Sequence, residues 1–232
     1  IRTDRTWLIQ EQIRAALVAS GLFEAVSYPT VGEAELAPFI DSAGVVSFAT
    51  CAPLSGLVTL RNPLQAGKPH MRTTLIPSLI NVVRENLKHT SSVRFFELAH
   101  GYLPTTPDEL PNEVNLLGQV MTGDRVALGR FEESGEIDVF DLKGALDAAL
   151  TRIGVTGWKL DPAAHPALHP GRSARIVLGD EAIGWIGELR PDVASEQGLG
   201  SQRVAVAELN LEPVFAAIPE RPAARTVQRF LP

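Results

Sequence analysis

The chain has 232 residues, 45% of them hydrophobic and 21% charged, enough to bury one substantial core or two small ones and to exclude disorder as its main state. A net charge of −6 and a pI near 5.4 exclude a chain devoted to coating nucleic acid, since phosphate binding relies on Lys and Arg that release counterions. The single cysteine, Cys51, excludes an intramolecular disulfide and a cysteine-built zinc site, and no apolar run nears the roughly 20 residues of a membrane helix, so a cytoplasmic location without membrane partners is expected.

In chain order, residues 5–20 carry Ile9, Ile13, Ala16 and Leu17 on one face, and Gly21 supplies a C-terminal stop, which predicts an amphipathic helix. A strand is expected over 23–28, a short helix over 33–39, and strands over 45–48 and 57–60. Asn62-Pro63 ends that last strand, because proline fixes φ and pushes the preceding residue out of the helical region. Thr73 and Thr74 are expected to cap a helix with Leu75, Leu79, Val82, Val83 and Leu87 at helical spacing, Pro77 being tolerable only in its first turn. Val93 to Leu98 reads as a strand.

Residues 104–112 hold three prolines and read as a surface turn. A strand over 114–121 follows, then a helix over 141–153 opened by Asp141 as cap. Gly179-Asp180-Glu181 between apolar runs at 174–178 and 182–189 is the clearest hairpin signal. Pro191 starts a short helix, and 204–209 is a final strand. Strands joined by hairpins with helices beside them give the fold class: α+β, an antiparallel sheet flanked by helices.

Several motifs stand in an order that resembles one family. They are Asn62-Pro63-Leu64, Met71-Arg72-Thr73-Thr74-Leu75-Ile76-Pro77, Asn86, and Phe96-Glu97-Leu98-Ala99-His100-Gly101-Tyr102. Gly21 to Tyr28, Phe140-Asp141-Leu142-Lys143-Gly144, His169 to Ala174 and Ile183 to Leu189 extend the pattern along nearly the whole chain. Together they resemble the class II aminoacyl-tRNA synthetase-like core of the bacterial phenylalanyl-tRNA synthetase β subunit, the segment between its B5 and anticodon-binding domains. The resemblance implies a core domain over 1–220, with 221–232 a linker toward an anticodon-binding domain. Because Ile1 is not an initiator and 226–232 begin a new apolar run, the chain is expected to be a piece of a longer one.

The resemblance also sets the candidate site. Class II synthetases hold ATP with an Arg-x-Glu-like element on a strand, which points to Arg94 and Glu97 as cofactor-binding candidates; Arg suits a phosphate because its guanidinium bonds in a bidentate fork. Residues i and i+3 of a strand face opposite sides, so the two cannot share a pocket without a bulge. The family's third signature needs a glycine-rich strand and then a helix bearing Arg, and Ala205 to Pro213 contains neither glycine nor arginine. The structural alternative makes Arg94 a packing residue and Glu97 a partner of a neighbouring loop.

Elsewhere, His165 and His169 are spaced as metal ligands only on a helix, which Pro166 and Pro170 forbid; a proline-stiffened turn is expected, with Arg172 and Arg175 in local contacts, and no metal site. Gly184 and Gly187 lack phosphate-loop spacing and read as close sheet packing. Cys51 reads as a small buried residue, and Glu132-Glu133 and Asp108-Glu109 as solvated loop acids.

The function implied by the resemblance is a non-catalytic scaffold. It packs on a catalytic α subunit that uses ATP and Mg²⁺, within an (αβ)₂ heterotetramer that aminoacylates tRNA-Phe; no catalytic residue and no cofactor belong to the domain itself. The helices over 5–20 and 75–87 are the expected docking faces. The alternative is a self-sufficient ATP-dependent ligase using Arg94 and Glu97.

Overall fold

The computed structural model describes residues 4–41, 44–48, 51, 53–54, 56–106, 109–125 and 135–219. Helix α1 (Arg5–Ala19) begins where the Asp4 side chain accepts from the Thr6 amide at 3.0 Å, and it ends at Gly21, whose φ of +84° suits glycine. Strand β1 (Phe23–Glu24) is shorter than the expected 23–28. The Ala25 amide still donates to Phe96 O at 2.7 Å, but the Ser27 amide goes to the Glu97 carboxylate, so the chain leaves the sheet there.

The next stretch is built of short pieces: β2 (Thr30–Val31), α2 (Glu33–Leu36) with a 3₁₀ turn at Ala37–Phe39, β3 (Ile40–Asp41), β4 (Gly44–Val46), β5 (Pro53–Leu54) and β6 (His70–Met71). The expected strand over 57–60 is instead an irregular ribbon. It has one bridge, Thr59 to His70, with Leu60 N donating to Pro69 O and Met71 N to Val58 O, both at 2.8 Å.

Helix α3 (Ile76–Asn86) carries Pro77 in its first turn as expected, but its N-cap is Leu75 rather than Thr73 or Thr74. Strands β7 (Val93–Leu103) and β8 (Asn112–Thr122) form a long hairpin around the proline-rich turn. β7 outruns the expected 93–98 because His100 to Leu103 pair residue by residue with Asn115 to Asn112. A small ribbon, β9 (Asp124–Arg125) with β10 (Gly135–Glu136), leads to α4 (Val139–Arg152). The cap of α4 is Asp138, which accepts from the Phe140 and Asp141 amides; Asp141 returns the bond to Asp138 N and is the reciprocal member of a capping box, not the cap.

Strand β11 (Lys159–Pro162) precedes the hairpin of β12 (Leu168–Leu178) and β13 (Glu181–Leu189), followed by α5 (Pro191–Glu196), β14 (Val204–Asn210) and α6 (Leu211–Ala217). The sheet order is β1-β7-β8-β14-β13-β12-β11, antiparallel except for the β1–β7 edge pair. The α+β class is as read from the sequence.

Helices cover both faces. α1, α4 and α6 pack Ile13, Leu17, Leu146, Leu150, Leu211 and Val214 against Leu117, Ile186 and Leu209 on one side. On the other, α3 and the Phe39–Phe48 pair cover Leu116, Val120, Trp185 and Val206. The strand glycines serve close packing as expected: a Cβ on Gly184 would stand 2.1 Å from Glu208 O. Among the described residues no helix is long and apolar enough to cross a membrane.

Candidate functional site

Residues directly opposite one another in a sheet point to the same side, so the strand register defines rows. One row runs Asp161, Arg175, Trp185, Glu208, Gly118, Glu97 across six strands, beneath α3. It carries two buried carboxylates, Glu97 and Glu208.

Glu97 is 2% exposed and fully engaged. It accepts from the Ser27 amide and hydroxyl at 2.8–3.1 Å and from Arg72 Nη1 at 3.0 Å. Arg72 also donates to His100 O at 3.0 Å and to Ser27 Oγ at 2.7 Å, which ties the loop after β1 to β7. A buried ion pair of this kind is tolerated because both carboxylate oxygens of Glu97 accept and Arg72 donates to Glu97, Ser27 and His100 at once.

Glu208 is 0% exposed, and its Oε2 accepts from Thr74 Oγ1 at 3.0 Å and Leu75 N at 2.5 Å. It thus completes the start of α3 from another strand, while Thr74 Oγ1 accepts from Ile76 N at 3.3 Å. Among the described residues Oε1 has no hydrogen-bond partner, and burial pushes the carboxyl up to about 8 despite the Leu75 and Thr74 bonds that pull it down.

Between the two acids Gly118 leaves a notch, and α3 fills it. A Cβ there would lie 2.8 Å from Leu79 Cδ1 and 3.0 Å from Leu75 Cβ. The centre of this face is therefore closed by the chain's own leucines.

Arg94 stands on the opposite face. It shares the side of Phe96 and Leu98, which pack under α1 and α4, and its Nη1 lies 3.7 Å from the place a Cβ on Gly21 would take. β7 has no bulge between the two, so Arg94 and Glu97 are not brought together and the shared ATP grip fails on geometry. A strand and helix, β14 and α6, do occupy the position where the third signature was sought, yet neither contains an arginine. The residues present thus do not fit a nucleotide with its metal.

The other candidates serve structure. Cys51 donates to Gly184 O at 3.4 Å, and burial raises its thiol to about 11, so it is no nucleophile at neutral pH. His165 is buried against Phe39, Phe48 and Trp185, with Nδ1 bonded to the Ala167 amide; His169 Nδ1 is bonded to the Gly171 amide. Arg172 pairs with Glu188 at 2.7 Å, and Arg175 sits over the Trp185 ring at 5.4 Å. Asp108, Glu132 and Glu133 lie outside the described residues.

Sequence reasoning missed the roles of Ser27, Arg72, Thr74 and Glu208. Arg72 and Thr74 were visible as motif members, but their partners are far away along the chain.

A family model described as "Phenylalanyl tRNA synthetase beta chain CLM domain" matches residues 2–211. The chain is 34% identical over 222 residues to the phenylalanine–tRNA ligase β subunit of Symbiobacterium thermophilum, covering 94% of this chain and 24% of that one. It is 30% identical over 231 residues to the same subunit of Geobacter metallireducens, covering 99% and 28%. The chain spans about a quarter of the length of these relatives. Among solved structures, a pyrrolysyl-tRNA synthetase from Desulfitobacterium hafniense superposes with a TM-score of 0.66 at 16% identity, over 91% of this chain and 68% of that one, a likeness of fold. With its helix-covered sheet, its closed polar row and a family match over most of its length, the chain belongs to the phenylalanyl-tRNA synthetase β-chain CLM domain family.

Proposed function

We propose that this domain is a non-catalytic, class II-like scaffold of a phenylalanine–tRNA ligase β subunit. It packs on the catalytic α subunit and supports aminoacylation of tRNA-Phe within a cytoplasmic (αβ)₂ heterotetramer. ATP and Mg²⁺ are then handled by the α subunit, and no catalytic or cofactor-binding residue resides here. The observation that carries this reading is the closed row: Leu75 and Leu79 fill the notch at Gly118, Glu97 is held by Arg72 and Ser27, and Glu208 binds the start of α3.

Of the two helices expected to dock a partner, α3 is already covered by its own sheet through Ile76, Leu79, Ile80 and Val83. α1 also turns Ile9, Ile13 and Leu17 inward, but Trp7, Leu8 and Val18 remain exposed, and the chain beyond it presents Phe23, Val26 and Tyr28 at 70%, 92% and 72% exposure. Apolar residues this open and this close together favour a protein partner on that edge. Calorimetry of the chain with Mg·ATP and with phenylalanine is expected to show no binding. Binding that disappears in Arg94→Ala would instead favour a self-sufficient ligase.

A further inference from the structure

The backbone pairing of β1 ends where the Ala25 amide donates to Phe96 O, and pairing resumes only where Thr30 of β2 meets Met71 of β6. Between them the chain crosses from β7 to β6 in a run that joins no sheet among the described residues. Its exposure nevertheless alternates as in a strand: Ala25 is buried, Val26 is 92% exposed, Ser27 is half-buried and Tyr28 is 72% exposed.

Side chains hold this run in place of a neighbouring strand. Ser27 donates from its amide and hydroxyl to Glu97 Oε1 at 3.1 and 3.0 Å, its hydroxyl also lies 2.8 Å from Glu97 Oε2, and the same Oγ accepts from Arg72 Nη1 at 2.7 Å. The Arg72 amide donates to Pro29 O at 2.9 Å, and Arg72 O accepts from the Tyr102 amide at 2.8 Å, so the arginine is itself fixed to β7. Both charged side chains are shut away from solvent, and water does not compete for these bonds. An exposed apolar pair on a loose run loses freedom when it is bound, whereas a pair already held loses less.

We propose that Arg72 and Glu97 are positioning residues that, acting through Ser27, hold Val26 and Tyr28 outward in the free subunit, ready for a protein partner. That this edge meets the α subunit is the reading given above, and the inference rests on it; what is added is the means by which the two side chains are set before contact. The arginine of Met71-Arg72-Thr73 and the acid of Phe96-Glu97 thereby gain a task that needs no nucleotide.

The test is a double-mutant cycle in the β subunit that carries this chain, mixed with the α subunit and followed through a dilution series by mass photometry. S27A removes the hydroxyl that Arg72 and Glu97 share and leaves the ion pair in place. It is expected to weaken assembly about fivefold with a melting temperature close to that of the wild type, and V26A/Y28A to weaken it further. Adding S27A to V26A/Y28A is expected to cost nothing more, because a residue that acts only through its neighbours has no effect once they are gone. Assembly unaffected by S27A or by V26A/Y28A, or an S27A loss that persists undiminished beside V26A/Y28A, overturns the proposal and leaves the scaffold reading standing. If the wild type does not assemble at all, the scaffold reading itself fails and takes the proposal with it. Should S27A misfold, hydrogen exchange of the wild-type β subunit alone decides: a slowly exchanging Ser27 amide supports the proposal, and one as fast as the amide of Val26 rejects it.

Discussion

Glu208 shows how one side chain can set the behaviour of a whole face. Its carboxyl is enclosed, one oxygen has no donor among the described residues, and Arg72, the cation whose field lowers it, is committed to Glu97, so the neutral acid is the stable form near pH 7. The unfolded chain releases this proton near 4.5, whereas the folded one holds it to about 8. Between those values the native state binds more protons than the unfolded state, so stability falls as pH rises, by at most roughly 1.4 kcal/mol per pH unit, and the effect is complete above the folded value. Glu208→Gln keeps the shape and an acceptor for Thr74 and Leu75 but cannot ionise. Its stability advantage over the wild type is expected to open above about pH 5 and to stop growing above about pH 8, as read by urea denaturation at a series of pH values. Parallel curves for the two proteins would show that Glu208 does not titrate in this window. None of this was legible in the sequence, where Glu208 sits in an apolar run and its partners Thr74 and Leu75 are 134 and 133 residues away. The opposite faces of Arg94 and Glu97, by contrast, follow from strand alternation alone.

At the level of elements, local chemistry was a good guide wherever the signal lay within one turn of chain. Asp4 and Gly21 bracket α1, Pro191 opens α5, and Gly179 at φ +62° turns the β12–β13 hairpin, all as their residue types require. Elements decided by distant partners were less legible. β1 stops early because Glu97 captures Ser27, β7 runs on because β8 is there to pair with it, and β11, where no strand was expected, forms by pairing with β12. The cap of α4 moved from Asp141 to Asp138 because both acids take part in one capping box. That helix also carries Gly144 in its interior at an exposed position where a Cβ would meet nothing within 4 Å. Gly144→Ala is therefore expected to raise stability by about 0.5–1 kcal/mol through the unfolded chain's lost freedom. Thermal melting checks this, and a lowered midpoint would mean that the space beside Gly144 is not open.

On the scale of the whole molecule, a class II-like sheet is sandwiched between α1, α4 and α6 on one face and α3 with its neighbours on the other, and the second layer closes the polar row. If that layer alone kept nucleotide out, thinning it would let nucleotide in. Leu79→Ala removes the side chain whose Cδ1 stands 2.8 Å from a Cβ built on Gly118, and it is expected to cost about 2–5 kcal/mol through lost burial and the cavity left behind. The opened notch would still be flanked by Glu97, bound to Arg72, and by Glu208, which brings no positive charge to a phosphate whether neutral or ionised. No arginine follows on β14 or α6 to hold a triphosphate, and Arg94 is on the far side of the sheet. Charge stabilisation of phosphate needs preorganised cations, and emptying a cavity does not create them. Calorimetry of Leu79→Ala with Mg·ATP is thus expected to remain flat even though denaturation shows the loss of stability. A saturable heat in this variant, absent from the wild type, would mean that steric closure rather than missing positive charge keeps this face silent.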